Sequence, residues 1–307
     1  MLQEVIVVPR NGLGNRLQAW SSAKLLAEDL GVPLRLMWEG YKKFPVDFHD
    51  LFLPTYSQSI MTREELDQRI GIPHQVLPRY LSVDLKRSLI VLAGHDRGEQ
   101  VFMSKLRDVI WGPSSAETLL IVAGGLFCMN LGEPDGEHDF AARRREFYKT
   151  LNWSEEISVK ALRNAPAEAY CGLHTRLTDR SNEAPRSRSY TSALKRLREV
   201  STADRLFVAG DTQQQKEIWT EKCRKVGFIP WSLPFSEHSR TTSAGVLNAV
   251  AEWLALSNAR GGIVHPERST FSSEAAVAAG CNVVALPPPH PVRIRRRVRR
   301  FTRSLIN

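Results

Sequence analysis

Three short segments of this sequence carry side chains suited to holding anions. His174-Thr175-Arg176-Leu177-Thr178-Asp179 directly follows the apolar run Ala169-Tyr170-Cys171-Gly172-Leu173, so Arg176 stands just past the end of a predicted strand. A planar guanidinium grips phosphate oxygens with two parallel hydrogen bonds and keeps its charge as a diphosphate departs. His174 is placed to orient that arginine or to donate to a ligand. Ser269-Thr270-Phe271-Ser272-Ser273-Glu274 opens a helix-forming stretch that ends at Gly280. Hydroxyls at such a position cap the helix, and beside free amides they also bond phosphate. Phe271 between them suits contact with a base or sugar, or simply fills the core. Asn11-Gly12-Leu13-Gly14-Asn15-Arg16-Leu17 follows the β-branched run Val5–Val8, where glycines permit a tight turn and a close backbone approach. A fourth feature is Asp211, at the end of Phe207-Val208-Ala209-Gly210: an acceptor for ribose hydroxyls or a base edge, or the cap of the next helix. Each segment alone has an ordinary structural reading as a turn, an Arg176–Asp179 ion pair or a helix cap.

Strand and helix signals alternate, which predicts an α/β fold with parallel sheets covered by helices. After Val5–Val8 and the glycine turn, Leu17, Trp20, Ala23, Ala27 and Leu30 recur at helical spacing, Gly31 closes that helix, and Leu34–Trp38 reads as a second strand. From about residue 40 to 85, Tyr41, Phe44, Phe48, Phe52 and Tyr56 mix with prolines and polar residues. Loops and short helices near an acceptor-facing surface are expected there. A strand at 89–92, a helix near 99–111, a strand at 119–122 and a bridging helical segment at about 139–164 follow. Strands are then predicted at 169–175, 204–210, 226–231, 261–265 and 282–286, with helices at 190–200, 212–225, 243–259 and 270–280. This rhythm is the doubly wound pattern, whose ligands bind beyond the C-terminal ends of the strands. The expected division is 1–150 as an N-terminal Rossmann-like domain on the acceptor side, 151–290 as a C-terminal Rossmann-like nucleotide-binding domain, and 291–307 as a basic tail.

Composition sorts the remaining function classes. The net charge is +9, but seven arginines between Arg293 and Arg303 account for most of it and leave +2 for the rest. The body is therefore near neutral, and no specific nucleic-acid partner is expected. In the tail, Ile294, Val298 and Phe301 share one side of a basic segment. That pattern suits peripheral contact with an anionic membrane through Arg293–Arg303, and a solvated terminus explains it equally. No apolar stretch reaches the roughly 18 residues of a membrane span. Met1-Leu2-Gln3-Glu4 runs straight into a strand, so no export signal is predicted. Cys128, Cys171, Cys223 and Cys281 are scattered, which predicts reduced thiols, a cytoplasmic protein and no structural zinc.

Taken together and in order, these segments resemble the GDP-fucose fucosyltransferase superfamily of α1,2-, α1,6- and protein O-fucosyltransferases. That pattern has a G-x-G-N-[RQ] turn, then H-x-R-x-x-D, a strand ending in D, and a late S-[ST]-F-S. Gly12–Arg16, His174–Asp179, Asp211 and Ser269–Ser272 supply all four, spanning about residues 5–287. The resemblance implies a GT-B fold with two facing Rossmann-like domains, and an inverting, metal-independent glycosyltransferase that takes GDP-fucose as donor substrate and needs no cofactor. It implies that Arg176 contacts the diphosphate with support from His174, and that Asp211 and Phe271 hold the nucleoside. Ser269, Thr270 and Ser272 would bond phosphates, and Asn15, Arg16 and Gly14 would face donor and acceptor from the other domain. No D-x-D triplet is present to bridge a metal to a diphosphate, so arginine and helix amides would take the cation's place. An inverting transfer needs a base for the acceptor hydroxyl. Glu183, one residue nearer the central motif than in α1,6 relatives, is one candidate, and Asp179, which alternatively orients Arg176, is the other. Leu177 stands where many relatives have a second arginine, which leaves room for another GDP-hexose. The competing readings are a non-catalytic nucleotide- or nucleic-acid-binding protein using the basic tail, and an NAD-dependent Rossmann enzyme. Leu17 at the third glycine position of GxGxxG weighs against the latter. The hydroxyl acceptor is not specified by any of these residues.

Overall fold

The structure is a computed structural model that describes residues 2–70, 83–86, 89–93, 106–108, 110, 117–127, 137–176, 185, 187–234, 239 and 241–287. The chain divides into two compact units, Met1–Ile157 with Ser239–Val250, and Ser158–His238 with Ala251–Asn307.

In the first unit, strand β1 (Glu4–Pro9) carries the run Val5–Val8, entirely buried as its β-branched composition demands. Helix α1 (Leu13–Leu30) crosses to β2 (Leu34–Leu36), and short helices α2 (Phe48–Leu51) and α3 (Arg63–Ile70) follow. Strands β3 (Val83–Lys86), β4 (Leu89–Ala93) and β5 (Thr118–Ala123) complete a sheet in the order β2-β1-β5-β4-β3. All pairings are parallel except β3–β4, an antiparallel hairpin at the edge; β4 is the strand expected at 89–92, whereas β3 falls at the end of the stretch expected to hold loops and short helices. Helices α4 (Glu137–Lys149) and α5 (Glu155–Leu162) occupy the predicted bridging segment. The aromatic stretch after β2 forms loops and short helices as expected, and its Phe44, Phe48 and Phe52 are core residues. They surround Trp20 and Trp38, edge-on, with ring centroids 5.4–6.2 Å apart. Burying several large rings in that geometry outweighs the polar residues interleaved with them.

The second unit holds β6 (Cys171–Thr175), α6 (Ser187–Val200), β7 (Arg205–Gly210), α7 (Gln213–Lys225), β8 (Ile229–Trp231), the later turns of α8 (Ser243–Ser257), β9 (Ile263–Pro266), α9 (Thr270–Ala279) and β10 (Val283–Leu286). Its five strands are all parallel, in the order β8-β7-β6-β9-β10. Numbered within the unit this is 3-2-1-4-5, the start of the Rossmann order, and it reverses direction between β6 and β9. One face of the sheet carries Leu173, Leu206, Val208 and Val264 against Tyr190 and Leu194 of α6 and Trp219 of α7. Strands β6, β7 and β9 are buried on both faces, as the expected covering of a parallel sheet by helices requires. Cys171 and Cys223 are buried free thiols. Among the described residues no helix is long and apolar enough to cross a membrane.

Candidate functional site

The reversal point of the second sheet is where two of the sequence segments converge. β6 ends at Thr175, so His174 is its penultimate residue and Arg176 the first beyond it. β9 ends at Pro266, and three residues later Ser269 caps α9, its hydroxyl accepting from the Ser272 amide at 3.4 Å. The two segments are joined directly: His174 Nδ1 lies 2.9 Å from Ser272 Oγ and 3.4 Å from Ser269 Oγ. All three side chains are buried. The His174 ring also packs against Phe271, with centroids 5.1 Å apart. Ser269 and Ser272 thus brace the histidine and the helix end, whereas Arg176, Thr270 and Phe271 are half-buried and reach the surface. The first amides of α9 complete a group of donors suited to an anion. Tyr190 is buried, and desolvation holds its phenol well above the ordinary value.

Asp211 lies just past β7, half-buried. The helix that follows is capped by Thr212, whose hydroxyl accepts from the Gln215 amide at 3.3 Å, so the capping alternative for Asp211 does not hold. Near Asp211 the sequence reading missed a buried ion pair, Lys216 of α7 with Glu252 of α8, whose side chains are 2% and 6% exposed. Desolvation pushes the Glu252 carboxyl well above the usual carboxylate range, against the pull of Lys216, while the charge of Asp211 pushes it up further. Glu252 is the one acid in the apolar stretch Ala244–Ser257, and that isolation was the signal available for it. Glu274 in α9 is buried in the same way.

In the first unit the glycine turn also sits at a sheet reversal, between β1 and β5. Asn11 adopts φ 69°, and a Cβ at Gly124, just past β5, would stand 2.2 Å from Asn11 Nδ2. The glycine after β5 therefore admits the turn after β1. Gly12 precedes α1 and supplies no side-chain cap to its first amides. Gly14 is buried and Asn15 half-buried. Arg16 is 1% exposed, with Nε donating to Asn11 O at 3.1 Å and Nη2 to Glu39 O at 2.9 Å. Its guanidinium lies 4.5 Å from the Phe44 ring centroid and 4.9 Å from that of Trp38. Burial draws its pKa down to about 10, which still leaves it charged at neutral pH. Of the remaining candidates, Asp179, Glu183 and the Arg293–Arg303 tail lie outside the described residues. Among the described residues no group of three or more His, Cys, Asp or Glu side chains is arranged to hold a metal.

No family model matches the sequence, and no curated protein matches it. Solved structures do. The α-1,6-fucosyltransferase NodZ, known from Bradyrhizobium and soaked with GDP-fucose, superposes with a TM-score of 0.61 at 14% identity, over 94% of this chain and 98% of that one. An Arabidopsis thaliana FUT1 mutant in complex with GDP gives 0.64 at 16% identity, over 94% and 71%. POFUT1 in complex with GDP gives 0.54 at 12% identity, over 92% and 98%. The fold is that of solved fucosyltransferases. The match runs through both sheets, since more than nine-tenths of the chain takes part in each case.

Proposed function

We propose that this chain is a GDP-fucose-dependent glycosyltransferase of the fucosyltransferase superfamily, with the GT-B arrangement, residues 151–290 holding the donor and residues 1–150 on the acceptor side. The observation that carries the reading is the His174–Ser272 contact at 2.9 Å. It joins the arginine segment and the S-T-F-S segment at the reversal of a Rossmann sheet, which supports reading them as one anion site. The fold shared with three fucosyltransferases, each solved with GDP or GDP-fucose, supports the choice of donor.

On this reading the diphosphate lies against the first turn of α9. Thr270 and the helix amides donate to it directly, and Ser269, Ser272 and His174 keep that turn in place. Arg176 neutralises charge on the leaving group. Asp211 and Phe271 hold the nucleoside, while Gly14, Asn15 and Arg16 shape the opposing turn, Arg16 from its aromatic setting. The acceptor oxygen forms a bond to the anomeric carbon as the bond to the diphosphate oxygen breaks, so configuration inverts and the electron pair leaves with GDP. The acceptor proton passes to a carboxylate, Glu183 or Asp179. Positive charge comes from arginine and backbone amides and needs no bridging metal ion. The Arg293–Arg303 tail adds attraction to anionic lipid surfaces for a cytoplasmic enzyme.

Calorimetric titration with GDP, GDP-fucose, GDP-mannose, UDP-glucose and NAD tests the donor assignment, together with release of GDP from GDP-fucose. Selective binding of guanosine diphosphates, lost in Arg176→Ala, is the expected result. No response to GDP, or an equal response in the variant, would overturn the assignment.

A further inference from the structure

The Lys216–Glu252 pair lies directly under the strand ends that carry the candidate ligand contacts. Both side chains are within the second unit and almost fully buried. The Gly210 amide donates to the Glu252 carboxylate, and the charge of Asp211, the next residue, is felt there. Gly210 itself is wedged: a Cβ on it would stand 2.9 Å from Thr175 Oγ1 and 3.6 Å from Lys216 Cγ. Thr175 Oγ1 in turn donates to Ala209 O at 3.3 Å. One lysine and one glutamate thus grip the end of β7 beside the residue that precedes Arg176.

Stability alone does not account for such a pair, because buried ion pairs are commonly replaced by well-packed apolar residues without loss of stability. What it does fix is the backbone at Gly210, and with it the place of the Asp211 carboxylate. We propose that Lys216 and Glu252 form a positioning pair for the nucleoside end of a nucleoside diphosphate. They hold Gly210–Asp211 so that the Asp211 carboxylate meets the O–H and N–H donors of ribose and base. This inference rests on the donor reading above and adds two residues that touch no ligand themselves.

The test uses the full chain and two probes, GDP and inorganic pyrophosphate, titrated into wild type, Lys216→Met, Glu252→Gln and the double variant Lys216→Met/Glu252→Leu, with melting temperatures recorded alongside. The double variant is expected to melt close to wild type. It should bind GDP about tenfold or more weakly, the scale of one lost charge-assisted hydrogen bond. Its pyrophosphate affinity should stay within about twofold, a split that general loosening of the unit would not produce. Lys216→Arg, which keeps the charge, should recover most of the GDP affinity, and this measurement decides the matter if the double variant does not fold. GDP affinity unchanged in a folded double variant, or lost in parallel with pyrophosphate affinity, overturns the positioning role alone. Wild type that fails to bind GDP at all overturns the donor reading and this inference with it.

Discussion

Removing the His174 ring should uncouple α9 from the sheet, and the size of the effect follows from its contacts. His174→Ala deletes the 2.9 Å hydrogen bond to Ser272, whose hydroxyl is fully buried, and the ring contact with Phe271. An unsatisfied buried hydroxyl costs about 1–3 kcal/mol, and an aromatic pair contributes about 0.5–1.5 kcal/mol beyond its area. The expected loss is about 2–4 kcal/mol, or roughly 5–12 °C in the melting transition of a unit this size. Ser272→Ala alone should cost about 1 kcal/mol, because Ser269 Oγ stands 3.4 Å from the same ring nitrogen and takes over part of the bond. The two changes share one interaction, so the double variant should lose about 1 kcal/mol less than the sum of the singles. Differential scanning calorimetry with and without GDP reads both quantities, since ligand protection marks the transition of the second unit. Additivity within about 0.3 kcal/mol would refute the reasoning, because the histidine and the serine would then not be holding each other.

Arg176→Ala should abolish detectable GDP binding while leaving the melting temperature within a few degrees, and Arg176→Lys should restore charge without the two-pronged geometry and recover only part of the affinity. His265 is buried with its pKa lowered to about 4 by desolvation, Nδ1 donating to the Pro266 carbonyl at 2.9 Å. The unfolded chain therefore takes up this proton first, so stability should fall by up to about 3 kcal/mol as pH drops from 6.5 to 4 and then level off. His265→Gln should flatten that part of a urea-denaturation pH profile. Gly210→Ala should destabilise by about 1–3 kcal/mol through its clash with Thr175 Oγ1, and adding Thr175→Ala should recover part of the loss in the same denaturation assay.

The second unit was legible because its strands and helices alternate at their own periods, and β6 and β7 run directly into motif residues. Predicted elements such as 204–210 and 270–280 match β7 and α9 within a residue or two. The first unit hid more. Phe44, Phe48 and Phe52 sit among lysines, prolines and acids, and only the tertiary packing on Trp20 and Trp38 shows that they are core. Strand β3 is short and bounded by mixed residues, a weak signal for any pattern, whereas the apolar run of its partner β4 predicts a strand at 89–92. At the site, the individual segments could be named, but the bond between His174 and Ser272 spans 98 residues of sequence and no local pattern encodes it. Lys216 reads locally as one more polar residue on an exposed helix, and its burial depends on an acid one strand-and-helix repeat away.

Neither compact unit is continuous in sequence. The first leaves off at Ile157 and takes up Ser239–Val250 only after β6, β7 and β8 have been laid down. The returning stretch is anchored there by Ser243, whose hydroxyl donates to the Pro45 carbonyl at 2.7 Å. During synthesis, residues 1–157 therefore wait, incomplete, until residue 250 has left the ribosome. With domains emerging at about 5–20 residues per second, that is a delay of several seconds with all five strands of its sheet already synthesised. A fragment cut at the apparent midpoint of the chain will lack that returning stretch. Expression of the two halves as separate polypeptides should give a poorly folded N-terminal piece unless the break is moved to follow residue 250.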